Sequence, residues 1–265
     1  MRCLFCKADS RGSQSKEHII PESLGNTALV LPPGVVCDRC NNYFSREVEK
    51  PFLESAGIVF LRFRQRIPSK RGLIPPMFGV LKPGFPALAR MHLKGPLVGD
   101  ILVHPQAIDH IVAANGGELI FPAGAPLPCG PVVSRFLAKV ALETMAQRFV
   151  DHEGGVDYLA NEPQLDSIRN HARRRTEPDW PVNVRRIYAE NHRWIDQQGA
   201  QVQVLHESDI LVTETNEYYL ILALFGLEFA INYGGAEIGG YRDWLSHHGM
   251  VSPLYHGKNE HGDLR

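Results

Sequence analysis

Two Cys-x-x-Cys pairs, Cys3 with Cys6 and Cys37 with Cys40, stand at either end of one short stretch of chain. Four sulfurs spaced as two knuckles can close a tetrahedral zinc site without help from the rest of the sequence. Closing it ties residue 3 to residue 40 and makes a module from a segment too small to bury a large apolar core. Glu17-His18-Ile19-Ile20-Pro21 lies inside that loop and Asn41 directly follows the second pair. The staple therefore holds a carboxylate, an imidazole and an amide near one another, which is how a compact catalytic metal site is built.

With 265 residues the chain can form one large domain or a small one joined to a larger one. The second arrangement is expected, with a module over residues 1–56 and a domain over 57–265. The most apolar run, Tyr218 to Ile231, is interrupted by Glu228 and falls short of the ~20 residues of a membrane-spanning helix. The start, Met1-Arg2-Cys3-Leu4-Phe5-Cys6-Lys7, passes into polar residues with no apolar segment of signal-peptide length, so a cytoplasmic location is expected. In a reducing compartment the paired cysteines read as metal ligands before they read as disulfides. Cys129 stands alone and reads as an ordinary thiol.

The net charge of −1 hides an asymmetry: residues 1–72 hold 12 Lys and Arg against 7 Asp and Glu, and the remainder holds 16 against 22. Arg62, Arg64, Arg66, Lys70 and Arg71, interleaved with Phe60 and Phe63, could track a phosphate backbone or form the solvated face of a strand.

The full pattern of Cys3-Leu4-Phe5-Cys6, Glu17-His18-Ile19-Ile20-Pro21-Glu22-Ser23-Leu24-Gly25 and Cys37-Asp38-Arg39-Cys40-Asn41-Asn42 resembles the zinc-stapled branch of the HNH endonucleases, the ββα-metal or His-Me finger group. The resemblance covers about the first fifth of the chain. It implies an α+β protein: an N-terminal, treble-clef-like ββα-metal module with a structural Zn²⁺ on Cys3, Cys6, Cys37 and Cys40, then a larger mixed α+β domain. It implies that His18 is the general base that takes a proton from the attacking water, a task suited to an ordinary pKa of about 6.5. Glu17 and Asn41 become ligands of a catalytic Mg²⁺ or Mn²⁺, and cleavage leaves 5′-phosphate and 3′-hydroxyl ends. The family's middle asparagine, which orients the histidine, has no clear match; Asn26 or a main-chain contact stands in its place, and Asn42 and Glu47 lie near enough to support Asn41. The substrate implied is DNA, with RNA left open, and the later residues would supply target choice, a partner surface or a small-molecule or protein input. A zinc-dependent nucleic-acid-binding module without catalysis, or a nuclease gated by a ligand or partner, are the alternative readings.

Along the rest of the chain, apolar residues four apart at Phe44, Val48 and Phe52 predict a helix from Asn41 to Leu53, irregular near Pro51. Short strands are expected at 87–93, 99–104 and 118–121, between proline- and glycine-rich turns. Val133, Phe136, Leu137, Val140, Ala141, Met145 and Phe149 share one face of a long helix, with Arg135, Lys139, Glu143 and Gln147 on the opposite face. A second helix, 165–174, carries Arg169, Arg173, Arg174 and Arg175 as another basic cluster, for nucleic acid or for a solvated helix end. Strands are expected at 201–206, 210–214, 218–225 and 227–233. His247, His248, His256 and His261 read as surface histidines.

Overall fold

The computed structural model describes residues 1–93, 99–174 and 180–259, so Arg175 and His261 lie outside them. The chain divides into two compact units: residues 1–21 and 26–52 with those from 128 onward, and residues 22–25 with 53–127. The protein is a mixed α+β molecule, as its sequence predicts. Among the described residues no helix is long and apolar enough to cross a membrane.

In the first unit β1 (Glu17–His18) pairs antiparallel with β2 (Val30–Leu31), Glu17 opposite Leu31 and His18 opposite Val30. The second knuckle opens α1 (Asp38–Phe44), which continues through a π-helical turn (Ser45–Glu49) into α2 (Lys50–Leu53). The π turn falls where Pro51 requires it. Proline has no N–H to give to the carbonyl four residues back, and the helical register shifts ahead of it. That carbonyl belongs to Glu47, and it accepts instead from Arg135 Nη1 at 3.4 Å.

The second unit holds α3 (Ala56–Arg64) and an antiparallel sheet in the order β5-β4-β3-β6, built from β3 (Met77–Leu81), β4 (Phe85–Arg90), β5 (Asp100–Val103) and β6 (Leu119–Ile120), with α4 (Pro105–Ala113) between the last two strands. The segment downstream of the knuckles is thus helical where a strand face was one expectation. β3 escaped sequence reading because its apolar residues do not alternate cleanly into a core: Phe78 is 72 % exposed and Val80 43 %.

The first unit resumes with α5 (Pro131–Phe149), α6 (Gly155–Asn161) and α7 (Asp166–Arg174). Then follow β7 (Asn183–Arg186), the short pair β8 (Trp194–Ile195) and β9 (Gln201–Val202), and β10 (His206–Val212), β11 (Tyr218–Leu224) and β12 (Leu227–Asn232); α8 (Gly239–His247) and α9 (Tyr255–Lys258) close the described chain. The large antiparallel sheet runs β10-β11-β12-β7. Register places Tyr219, Ile221 and Ala223 beside Asn232, Ala230 and Glu228, and this face packs under Tyr241 and Leu245 of α8. The other face meets α5, where the Tyr233 hydroxyl donates to the Ala141 carbonyl at 2.7 Å.

Burial on both faces explains why β12 is apolar and polar by turns yet buried throughout. Glu228 is fully enclosed and accepts from Tyr241 Oη at 2.6 Å, with Arg185 and Ser252 as further donors. His256 is not a loose surface histidine: its ring lies 2.8 Å from Glu207 and against Trp194.

Candidate nuclease site

None of the five cysteines forms a disulfide, and the Sγ atoms of Cys3, Cys6, Cys37 and Cys40 all lie within 4.8 Å of one another. Cys6 and Cys37 are 3.6 Å apart. Thiolates about 2.3 Å from a tetrahedral zinc stand about 3.8 Å from each other, so this donor set fits that ion. Cys37 N donates to Cys3 Sγ at 3.3 Å, and Lys7, just past the first knuckle, turns the chain with φ of 61°. Crowding splits the thiols: a hydrogen bond with Cys40 holds Cys3 down to about 4, and the same bond pushes Cys40 far above the ordinary thiol range.

The hairpin between the knuckles presents the Glu17-His18 pair. Glu17 is 4 % exposed and His18 half-buried. Asn26, 0 % exposed, ties the hairpin: its Nδ2 donates to the carbonyls of Ile20 at 2.6 Å and Leu29 at 2.9 Å, and its Oδ1 accepts from the amides of Ala28 at 3.0 Å and Leu29 at 2.8 Å. An asparagine that satisfies four backbone groups fixes the path of the chain carrying the histidine. Asn41, on the first turns of α1, donates from Nδ2 to the carbonyl of Lys16 at 2.9 Å. This contact joins α1 to the residue preceding Glu17 and commits the amide nitrogen of Asn41. Asn42 and Glu47 are exposed on the same helical stretch.

The site has a second wall that sequence reading missed. Lys139, placed by periodicity on the polar face of α5, is 0 % exposed. Its Nζ lies 2.8 Å from Glu17 Oε1, 2.9 Å from Glu49 Oε1 and 2.8 Å from Glu143 Oε2, and donates to the carbonyl of His18 at 3.2 Å. Burial alone would neutralise the ammonium, but the carboxylates outweigh it and hold its pKa well above the ordinary lysine value. Glu143 moves up as well, because burial disfavours its charge more than Lys139 favours it. The only hint in the sequence was the Lys139 and Glu143 spacing of four, which also describes an exposed helical pair.

The basic residues divide in the same way. Arg169, expected to grip nucleic acid or end a solvated helix, is 2 % exposed and supports the first knuckle. Its Nε donates to the carbonyl of Leu4 and its Nη2 to that of Leu159, both at 2.8 Å, with Asp166 as its counter-ion. Arg62 is 7 % exposed on α3, where desolvation pulls its pKa down. Arg64 lies over the Phe60 ring at 5.8 Å, Lys70 pairs with Glu22 at 3.4 Å, and Arg71 is exposed. Arg62 thus serves the packing of its helix, whereas Arg64, Arg66, Lys70 and Arg71 keep their side chains partly or fully exposed.

Residues 3–56 match the HNH endonuclease family model. This span is an HNH endonuclease module, the class that acts on nucleic acid, and the knuckle cysteines are its candidate zinc ligands. No curated protein and no solved structure matches the chain.

Proposed function

We propose that the protein is a metal-dependent endonuclease that hydrolyses DNA phosphodiesters, with residues 1–56 as the nuclease module and 57–265 supplying target choice, a partner surface or regulation. The observation that carries this reading is the pairing of a family match with a hairpin whose Glu17-His18 pair is tied to Asn41 through the Lys16 carbonyl. Zinc on the four cysteines holds the fold together. Glu17 and Asn41 offer oxygen donors, the chemistry a hard cation such as Mg²⁺ or Mn²⁺ prefers. When bound, that cation supplies charge stabilisation for the phosphorane-like transition state and the leaving oxygen. His18 takes the proton from the attacking water. Asn26 keeps the strand that carries His18 in one conformation, and the half-buried setting of the imidazole limits its contact with bulk water.

The test is plasmid nicking by zinc-loaded protein in Mg²⁺, Mn²⁺ or chelator. His18→Ala should keep its zinc and lose about 100- to 10,000-fold in rate. Binding with no cutting in any metal would favour a passive zinc module. A gated nuclease has one observation in its favour, a cavity of about 660 Å³ in the first unit whose lining includes Phe149, Tyr158, Glu162, Tyr218, Tyr233 and Glu237. Nicking that begins only on adding a cell extract or small molecule would select it.

A further inference from the structure

Lys139 lies on α5, outside the span that matches the nuclease family, yet it touches both residues of the Glu17-His18 pair. A fully buried ammonium is tolerated only where several acceptors replace its water. An ion pair meant only to join α5 to the helix after the knuckles would be complete with Glu49, 2.9 Å away. The other two contacts reach further. One holds the side chain of Glu17 and the other the backbone of His18, so two successive residues of β1 are referred to a single atom on a rigid helix. Glu143, one helical turn along, holds the ammonium at 2.8 Å and restricts its freedom to swing away.

We infer that Lys139 is a positioning residue of the nuclease site: from α5 it sets the Glu17 carboxylate and the His18 peptide. This rests on the reading of Glu17 and His18 given above. Lys139 is enclosed and meets no substrate, so its contribution is geometric, and displacements of about 1 Å at a reacting centre lower rates by about 100-fold.

The test compares the zinc-loaded full chain as wild type, Lys139→Met, and Phe136→Leu. Phe136 stacks on Phe52 at 3.8 Å, so its truncation loosens the same helix without touching a charge. Because Lys139→Met leaves carboxylates without a counter-ion, Lys139→Met/Glu143→Gln is the second variant. Expected is a fall in kcat for nicking of about 100-fold with KM for DNA within about threefold and zinc retained, while Phe136→Leu keeps kcat within about threefold. In a separate arm on ¹⁵N-lysine wild-type protein, Mn²⁺ should broaden the water-protected ammonium signal, since among the described lysines Lys139 alone is fully enclosed. Equal kcat losses in the Lys139 and Phe136 variants, or an unbroadened signal where Mn²⁺ supports nicking, would overturn the inference. A wild-type protein that nicks in no metal and matches His18→Ala would instead overturn the nuclease reading beneath it.

Discussion

The stretch from Cys3 to Phe52 and the sheet formed by β10, β11, β12 and β7 are ordered by different forces. In the sheet, β12 is buried along its whole length and the inner face of β11 continues into Tyr241, Leu245 and Leu254, so apolar area does the holding. In the module the strands are two residues each, and around a small core that includes Leu4, Phe5, Ile20, Leu31 and Phe44 the four-cysteine cluster offers a zinc site that would add to what apolar area supplies. The two regions also treat buried charge differently. Glu228 in the sheet is one carboxylate surrounded by donors, a closed arrangement. Lys139 at the module is one ammonium shared among three acidic side chains, Glu17, Glu49 and Glu143. Packing over a large sheet gives a stable body, whereas a small module on two-residue strands leans more on individual bonds, which can be removed one at a time.

Removal of zinc should separate the two regions most sharply. Structural zinc contributes roughly 10–16 kcal/mol in small fingers, more than the whole stability of an ordinary domain. Chelation, or Cys37→Ser, should expose residues 1–52 to limited proteolysis while β10 to β12 stay protected. Protection of both regions after the metal is gone would show that packing against α5 and α7 suffices to hold the module.

Arg169→Met should follow in size. It strips the donors from the buried carbonyls of Leu4 and Leu159, at a cost of roughly 3 kcal/mol, which corresponds to about 6–10 °C in melting temperature. Zinc affinity should fall with it, because Leu4 lies within the first knuckle. A variant with unchanged melting and unchanged zinc affinity would mean that the knuckle needs no outside support.

Asn26→Ala should cost less, about 2 kcal/mol, because part of the freed backbone can turn to water. Its sharper effect should be on nicking, measured at a temperature where the variant is fully folded, since the hairpin that carries His18 loses its tie.

What could be read from the sequence follows from these distinctions. The knuckles, the Glu17-His18 pair and the helices at 38–53 and 131–149 announce themselves through short-range spacing, which the fold cannot easily disguise. Lys139 and Arg169 were read as surface residues because periodicity sorts a helix into apolar and polar faces and assumes that the polar one meets water. In this protein the polar face of α5 meets Glu17 and Glu49, residues about 120 and 90 positions away in the chain, and no local pattern reports a contact of that range. The register change before Pro51 was legible as an irregularity, but its partner, Arg135, was not. β3 and β7 were missed for a related reason: each gains its place from neighbouring strands and carries little alternation of its own.

The smallest expected effect concerns the other unit, where the same distinction between buried and exposed charge can be tried on nucleic acid. If Arg64, Arg66 and Arg71 contact phosphates, replacing all three by Gln should flatten the slope of log binding constant against log salt by about 2–3, at roughly 0.9 per phosphate. Arg62→Met should leave that slope alone, because its side chain is 7 % exposed and desolvated within its own helix. Its effect should appear in the thermal melt. A slope that changes as much for Arg62 as for its exposed neighbours would show that α3 rearranges on binding. A slope unchanged in the triple variant would move the phosphate contacts away from this segment and leave the module to bind its substrate unaided.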